Sequence, residues 1–263
     1  MKKIVFYGSG NISQALIAGL ISAGFNKNLI EFIDRNNTNS RKTIKLGANK
    51  IKLKNIDPKS IIFMGVKPKD AMHACNEICA AIKKPKIVSL VAGIKSKKYL
   101  SNAKDIELIR AMPNTSSKFN KGITAIFNCN ANKTSFNQVS SIFKKVGTTI
   151  TINNENKIDD FTGLIGSGPA YFFYLLKVYE KRILKLCDGD VSKKDIIISN
   201  LLEGISNSIT DNNNLDELIA SVASKKGTTE AGLKSFKSSK LSQNFEKGIA
   251  AAIKRAKDIS VEF

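Results

Sequence analysis

Ile4-Val5-Phe6-Tyr7-Gly8-Ser9-Gly10-Asn11-Ile12-Ser13 sets a short apolar run against a glycine-rich turn, then opens a helical pattern through Leu16 and residues 18–20. The order reads as strand, tight turn and helix start. Gly8 permits the turn and Gly10 lets the backbone approach a pyrophosphate. The helix beyond offers unpaired N–H groups and the positive end of its dipole. Ser13 holds the third position, where Gly or Ala is usual, and is small enough for close helix–strand packing. A glycine turn alone is weakly specific, but its place after an N-terminal strand matches a dinucleotide-binding fingerprint. Gly8, Ser9, Gly10, Asn11 and Ile12 are the first candidate cofactor residues.

Working outward, strands are expected at 4–7, 29–33, 60–65, 86–91, 106–111 and 122–127, with a short one near 149–152. Helical patterns fall between them at 11–23, 38–46, 69–82, 96–101 and 134–145. Crossovers long enough for a helix argue for a parallel sheet covered on both faces, with ligand at the carboxyl ends of the strands. After about residue 153 the strands stop, and 161–186, 194–208, 215–223, 229–236 and 242–259 read as helices. Leu201, Leu202, Ile205 and Ile209 share one face, as do Phe245, Ile249, Ile253 and Ala256. The expected fold is α/β: an N-terminal Rossmann-type doubly wound parallel sheet over 1–153, and an all-helical domain over 154–263. The helical half is apolar enough to suggest burial against a second copy or within a bundle of its own.

The 263 residues are 42% hydrophobic, but no apolar stretch approaches the length of a membrane-spanning helix. Met1-Lys2-Lys3 is followed by too short an apolar run for a secretory leader, so a cytoplasmic protein is expected. Cys75 and Cys79 lie one helical turn apart without further ligands at zinc-site spacing. Cys129 and Cys187 add no cluster, and no metal is expected. His73 is the only histidine, which argues against a multi-histidine metal site and leaves a Ser-His-Asp triad a single candidate base; it reads as a solvent-facing or packed helix residue. The net charge of +20 comes from 37 Lys and 5 Arg, without tryptophan. Base readout and stacking favour Arg and aromatic side chains, so no nucleic acid is expected. The charge does favour anionic ligands.

Asp34 lies 26 residues after Gly8, where an acidic side chain accepts from an adenosine ribose hydroxyl. Arg35 beside it could hold a 2′-phosphate, so the pair leaves NAD and NADP open. Val66-Lys67-Pro68 and Ala92-Gly93 end two further strands at the same edge. Lys67 offers charge to ribose or phosphate, while Ala92-Gly93 keeps side chains clear of a flat nicotinamide ring.

Three later strings narrow the field: Arg110-Ala111-Met112-Pro113-Asn114-Thr115, Gly166-Ser167-Gly168-Pro169-Ala170-Tyr171 and Gly227-Thr228-Thr229-Glu230-Ala231-Gly232-Leu233. With the glycine turn and Val66-Lys67-Pro68, their order and spacing resemble pyrroline-5-carboxylate reductases over essentially the whole chain. The resemblance implies a homodimer with interlocked helical domains, often built into a ring of dimers. It implies reduction of 1-pyrroline-5-carboxylate to L-proline, the last step of proline synthesis. NADPH would be the hydride donor, with NADH the alternative. It also places Asn55 and Asn114 with the cofactor, and Ser224, Gly227, Thr228 and Thr229 with the substrate. Thr229 would be the catalytic residue, its hydroxyl nearest the imine nitrogen.

A protonated cyclic imine is already electrophilic, so positioning and electrostatics are what remain for the protein. Gly227-Thr228-Thr229 reads as a helix N-terminus, suited to a carboxylate or to plain capping. One departure stands out. The family usually carries Ser-Pro-Gly-Gly before the two threonines, and here the run is Ser224-Lys225-Lys226-Gly227. Lys226 would be strained if its φ is positive. The alternative readings are a related imine or β-hydroxyacid reductase, for which Lys177 is the nearest proton-handling lysine, and a catalytically weak nucleotide-binding paralogue.

Overall fold

The chain is described here by a computed structural model covering residues 2–103 and 105–262. Its first half runs β1 (Ile4–Tyr7), α1 (Asn11–Ser22), β2 (Ile30–Ile33), α2 (Asn37–Lys45), β3 (Asn49–Lys50), β4 (Ile61–Met64) and α3 (Ala71–Ala81). It continues through β5 (Lys86–Ser89), α4 (Ser96–Asn102), β6 (Glu107–Pro113), β7 (Gly122–Asn128), α5 (Lys133–Lys144) and β8 (Gly147–Thr151). Then come α6 (Lys157–Phe161), a π turn over Thr162–Gly166, α7 (Gly168–Leu186), α8 (Val191–Asp211), α9 (Leu215–Val222), α10 (Thr228–Ser238) and α11 (Leu241–Glu262).

β1 is buried on both faces because its residues alternate between two apolar layers. Ile4 and Phe6 pack with Leu16, Ile17 and Leu20 of α1 and with Val139 and Phe143 of α5. Val5 and Tyr7 pack with Ala74, Cys75 and Ile78 of α3 and with Tyr99 of α4. The strand order is β3-β2-β1-β4-β5-β6-β7-β8. The chain winds one way from β1 and the other way from β4, which opens a crevice at the carboxyl end of β1. That is where the glycine turn sits.

Two details depart from the expected parallel sheet. β3 is a two-residue exposed edge strand with no period to announce it. β7 runs antiparallel to β6, whereas every other pairing in the sheet is parallel. Only residues 114–121 join β6 to β7, too few for a helical crossover. Asn120 closes that connection at φ 57°, its side chain donating to the carbonyls of Gly19 (2.8 Å) and Lys145 (3.0 Å).

Arg110 is fully buried in β6, and its Nη1 donates to Glu155 at 2.8 Å. Glu155 also accepts from the Ser96 amide (2.6 Å) and hydroxyl (2.8 Å) at the start of α4. Burial alone would raise the Glu155 carboxyl, but the Arg110 and Ser96 bonds outweigh it and hold the group below its ordinary value. The arginine of the first diagnostic string thus clamps the segment after β8 onto the sheet.

The chain divides into two compact units: residues up to Ser167 together with Ala251 onward, and Gly168–Ala250. In the first, Ala256 of α11 is buried, and a Cβ on Gly93 would strike Ile259. The second is helical and exposes much apolar surface, including Phe173, Tyr174, Val178, Ile196, Ile205 and Val222. Its buried side chains include Ile183 and Lys194, the latter paired with Glu180 and Asp195. So large an apolar exposure marks an association surface. Among the described residues no helix is long and apolar enough to cross a membrane.

Candidate functional site

Gly8 leaves β1 at φ +90°, and a Cβ there would lie 2.7 Å from the Gly65 carbonyl, so both backbone and space demand glycine. Gly65 in turn closes on Ser13, whose hydroxyl donates to the Gly8 carbonyl at 2.7 Å. The serine in the third fingerprint position therefore ties α1 to the turn. Gly10 is different. It is the N-cap of α1 with extended backbone, no side chain caps the helix, and a Cβ there would meet no protein atom within 4 Å. Its free face opens on a cleft of about 810 Å³. Protein packing does not require glycine at this position. The room suits close approach of a pyrophosphate to the helix N-terminus, so the residues present fit a dinucleotide.

The cleft gathers Gly8, Gly10, Asn11, Ile12, Asp34, Arg35, Val66 and Lys67 of the expected set. Ser9 lies behind it, fully buried, with its amide and hydroxyl each donating to Asp34 Oδ2 at 2.7 Å. Asp34 Oδ1 accepts from the Asn36 amide at 2.7 Å. Burial alone would raise the Asp34 carboxyl, but the Asn36, Ser9 and Asn39 bonds outweigh it and hold the group below its usual range. Asp34 thus braces the glycine turn as well as facing the cleft.

Asn55 is exposed at the end of a short 3₁₀ segment, and Pro68 starts another. Neither lines this cleft, and neither do Ala92, Gly93 or Asn114. Gly93 (φ +78°) and Ile259 account for the glycine by packing alone. Asn114 is buried, and its Oδ1 accepts from the Ile123 amide at 3.0 Å, bracing the β6–β7 connection.

Tyr7, His73 and Glu77 also line the cleft, though no motif marks them as cofactor residues. Arg35 Nη2 donates to both Glu77 oxygens, at 2.7 and 2.9 Å, and lies 3.3 Å from His73 Nε2. The Tyr7 hydroxyl donates to Glu77 as well. Burial, with the Glu77 bond, pushes the Tyr7 phenol up to about 12. The same bond, with Arg35 and His73 nearby, holds Glu77 below its usual value. His73 is solvent-facing, and its spacing from Glu77 on α3 was the one available signal.

Depressed values for Asp34, Glu77 and Glu155 mean the unfolded chain binds more protons than the folded one in acid. Their stabilisation is complete above the ordinary carboxylate range and is lost as pH falls through the depressed folded values. Asp159, raised mainly by burial, acts in the opposite sense but alone. The melting temperature is expected to fall between about pH 5 and about pH 3. A thermal melt series that stays flat or rises there contradicts this.

In the second unit, Gly227 is the N-cap of α10, and no side chain caps that helix. Neither Thr228 nor Thr229 therefore fills the plain capping role. Gly227 donates to the Ser224 carbonyl at 2.9 Å. The Lys226 amide donates to Glu230. Lys226 sits at φ +59°, the left-handed conformation that glycine adopts at lower cost. Lys226→Gly is expected to stabilise by about 0.5 to 1 kcal/mol and raise the melting temperature by about 1 to 3 °C. Calorimetry showing a decrease would contradict that. Lys177 is exposed on α7.

Known proteins bear on both halves of the chain. A family model described as pyrroline-5-carboxylate reductase dimerisation matches residues 155–259, and one described as NADP oxidoreductase, coenzyme F420-dependent, matches 3–93. Pyrroline-5-carboxylate reductase 1 of Bacillus subtilis is 31% identical over 281 residues, covering 98% of this chain and 90% of that protein. A pyrroline-5-carboxylate reductase structure from Coxiella burnetii superposes with a TM-score of 0.83 at 27% identity, over 98% of each chain. The Plasmodium falciparum pyrroline carboxylate reductase, solved with NADP bound, gives 0.84 at 22% identity over 98% of each chain.

Proposed function

The chain belongs to the pyrroline-5-carboxylate reductase family, and from that premise we infer that it reduces 1-pyrroline-5-carboxylate to L-proline. It is an NADP(H)-dependent oxidoreductase, with NADH as the alternative donor. The observation that carries the cofactor half is Gly10, whose open face lets a pyrophosphate reach the α1 N-terminus. Bound NADPH supplies the hydride.

The chain's own residues bind and orient. The first-turn N–H groups of α1 take the pyrophosphate, Asp34 meets the adenosine ribose, and Arg35 meets the 2′-phosphate of NADPH. Lys67 adds positive charge near the phosphates. We assign Ser224, Gly227 and Thr228 to the substrate carboxylate, supported by the helix N-terminus they form. Thr229 follows in the first turn of α10. Its hydroxyl hydrogen-bonds the ring nitrogen as the imine becomes an amine, which stabilises charge during reduction. The substrate arrives electrophilic, so no nucleophile is needed.

The chain oligomerises through its helical domain. An interlocked homodimer fits the apolar surface of residues 168–250, and we extend the proposal to a ring of dimers and to the cytoplasm. The functional division at 153/154 belongs to the same reading.

Oxidation of NADPH and NADH by the purified protein, with and without 1-pyrroline-5-carboxylate, tests this. Substrate-dependent oxidation is expected. Cofactor binding without turnover would overturn the substrate assignment and locate the difference in the Lys225-Lys226 loop.

A further inference from the structure

Arg35 is the arginine that lines the cleft among the described residues, and it is not idle there. Its guanidinium makes a two-oxygen ion pair with Glu77, reaching across from the end of β2 to α3. The Arg35 side chain is 73% exposed and that of Glu77 only 28%, so Glu77 is the fixed partner and Arg35 the movable one. Tyr7 donates to the same carboxylate from the last position of β1, and His73 stands one turn before it on α3. Asp34, the neighbour of Arg35, has its carboxylate committed to Ser9 and Asn36 and remains anionic.

We propose that Glu77 is a specificity-determining residue: its carboxylate competes with the cofactor's 2′-phosphate for Arg35 and so sets the preference between NADPH and NADH. The proposal rests on the reading of this cleft as the dinucleotide site. A 2′-phosphate is a dianion at neutral pH and needs a cationic partner. In this cleft it meets a guanidinium already neutralised by Glu77, beside the fixed charge of Asp34. An unphosphorylated ribose needs no such partner and is indifferent to the pair. Glu77 therefore weakens NADPH selectively and leaves NADH unchanged. Lys67 and Lys69, from the loop after β4, also line the cleft, whereas the Glu77 ion pairs among the described residues are with Arg35 and His73.

The test is fluorescence titration of NADPH and NADH against the full chain and its Glu77→Gln, Glu77→Ala and Arg35→Ala variants. Glu77→Gln keeps the side-chain volume and a hydrogen-bond acceptor for Tyr7. It is expected to tighten NADPH about five- to tenfold with NADH changed less than about twofold, since an exposed ion pair and a nearby like charge are removed. Arg35→Ala is expected to weaken NADPH alone, and in the Arg35→Ala background Glu77→Gln has no further effect. Equal changes in both cofactors, or an unchanged ratio in Glu77→Gln and Glu77→Ala, would overturn the proposal and leave the dinucleotide site standing. A wild-type chain that binds neither cofactor would overturn both.

Discussion

Gly10→Asp is expected to weaken NADPH binding at least about a hundredfold while leaving the protein as stable as before. The two effects separate because of what surrounds this glycine. The backbone is extended, which aspartate adopts freely, and a Cβ meets no protein atom within 4 Å. Aspartate is also a good N-cap, so α1 gains a partner for its unpaired N–H groups. Those are the groups a pyrophosphate would use. The introduced carboxylate occupies the anion site and repels the ligand's phosphates. Titration and a thermal melt on the same sample check both halves. A melting temperature lowered by more than about 3 °C, or normal NADPH affinity, contradicts the assignment of Gly10. Gly8→Ala makes the contrast, since its positive φ and the Gly65 carbonyl predict lost stability as well.

Thr229→Ala should lower kcat about a hundredfold, the usual scale for removing one hydrogen-bond donor that acts on developing charge. NADPH affinity should hold, because the cofactor cleft is lined entirely by residues between Tyr7 and Glu77. Stability should hold too. The cap of α10 is Gly227, no side chain caps the helix, and alanine is the better helix former. Thr229→Ser should retain most of the activity. Stopped-flow measurement of NADPH oxidation at saturating substrate distinguishes this from a defect in binding. Unchanged turnover in Thr229→Ala would remove the residue from the reaction.

The parts of this protein that were legible in its sequence are those written in adjacent residues. The β1–turn–α1 unit was readable because the apolar run, the glycines and the 3.6-residue period sit side by side. The same holds for the helices after 153, although α6 was missed but for its last residue and the π turn and α7 merged into one pattern, because a single inserted residue in a turn leaves the apolar spacing intact. β3 escaped because two exposed polar residues carry no period. The direction of β7 was written only in the shortness of residues 114–121. Lysine standing where glycine is usual raised the question of a positive φ at Lys226, and the backbone there is at +59°.

Contacts between distant residues are another matter. Ser9 with Asp34 and Arg35 with Glu77 pair across 25 and 42 positions, and each depends on how the crossovers bring β1, β2 and α3 to one edge. Gly93 was readable as a cleft residue from its place at a strand end and Asn114 from the family resemblance, yet Asn114 braces a turn and Gly93 admits Ile259. The sequence by itself determined the strand–turn–helix that cradles a cofactor, the alternation that builds the sheet, and the motifs that place the chain in its family. Only the tertiary structure decided which charges face one another across the cleft, because a side chain's partner depends on the packing of whole elements and not on its neighbours along the chain.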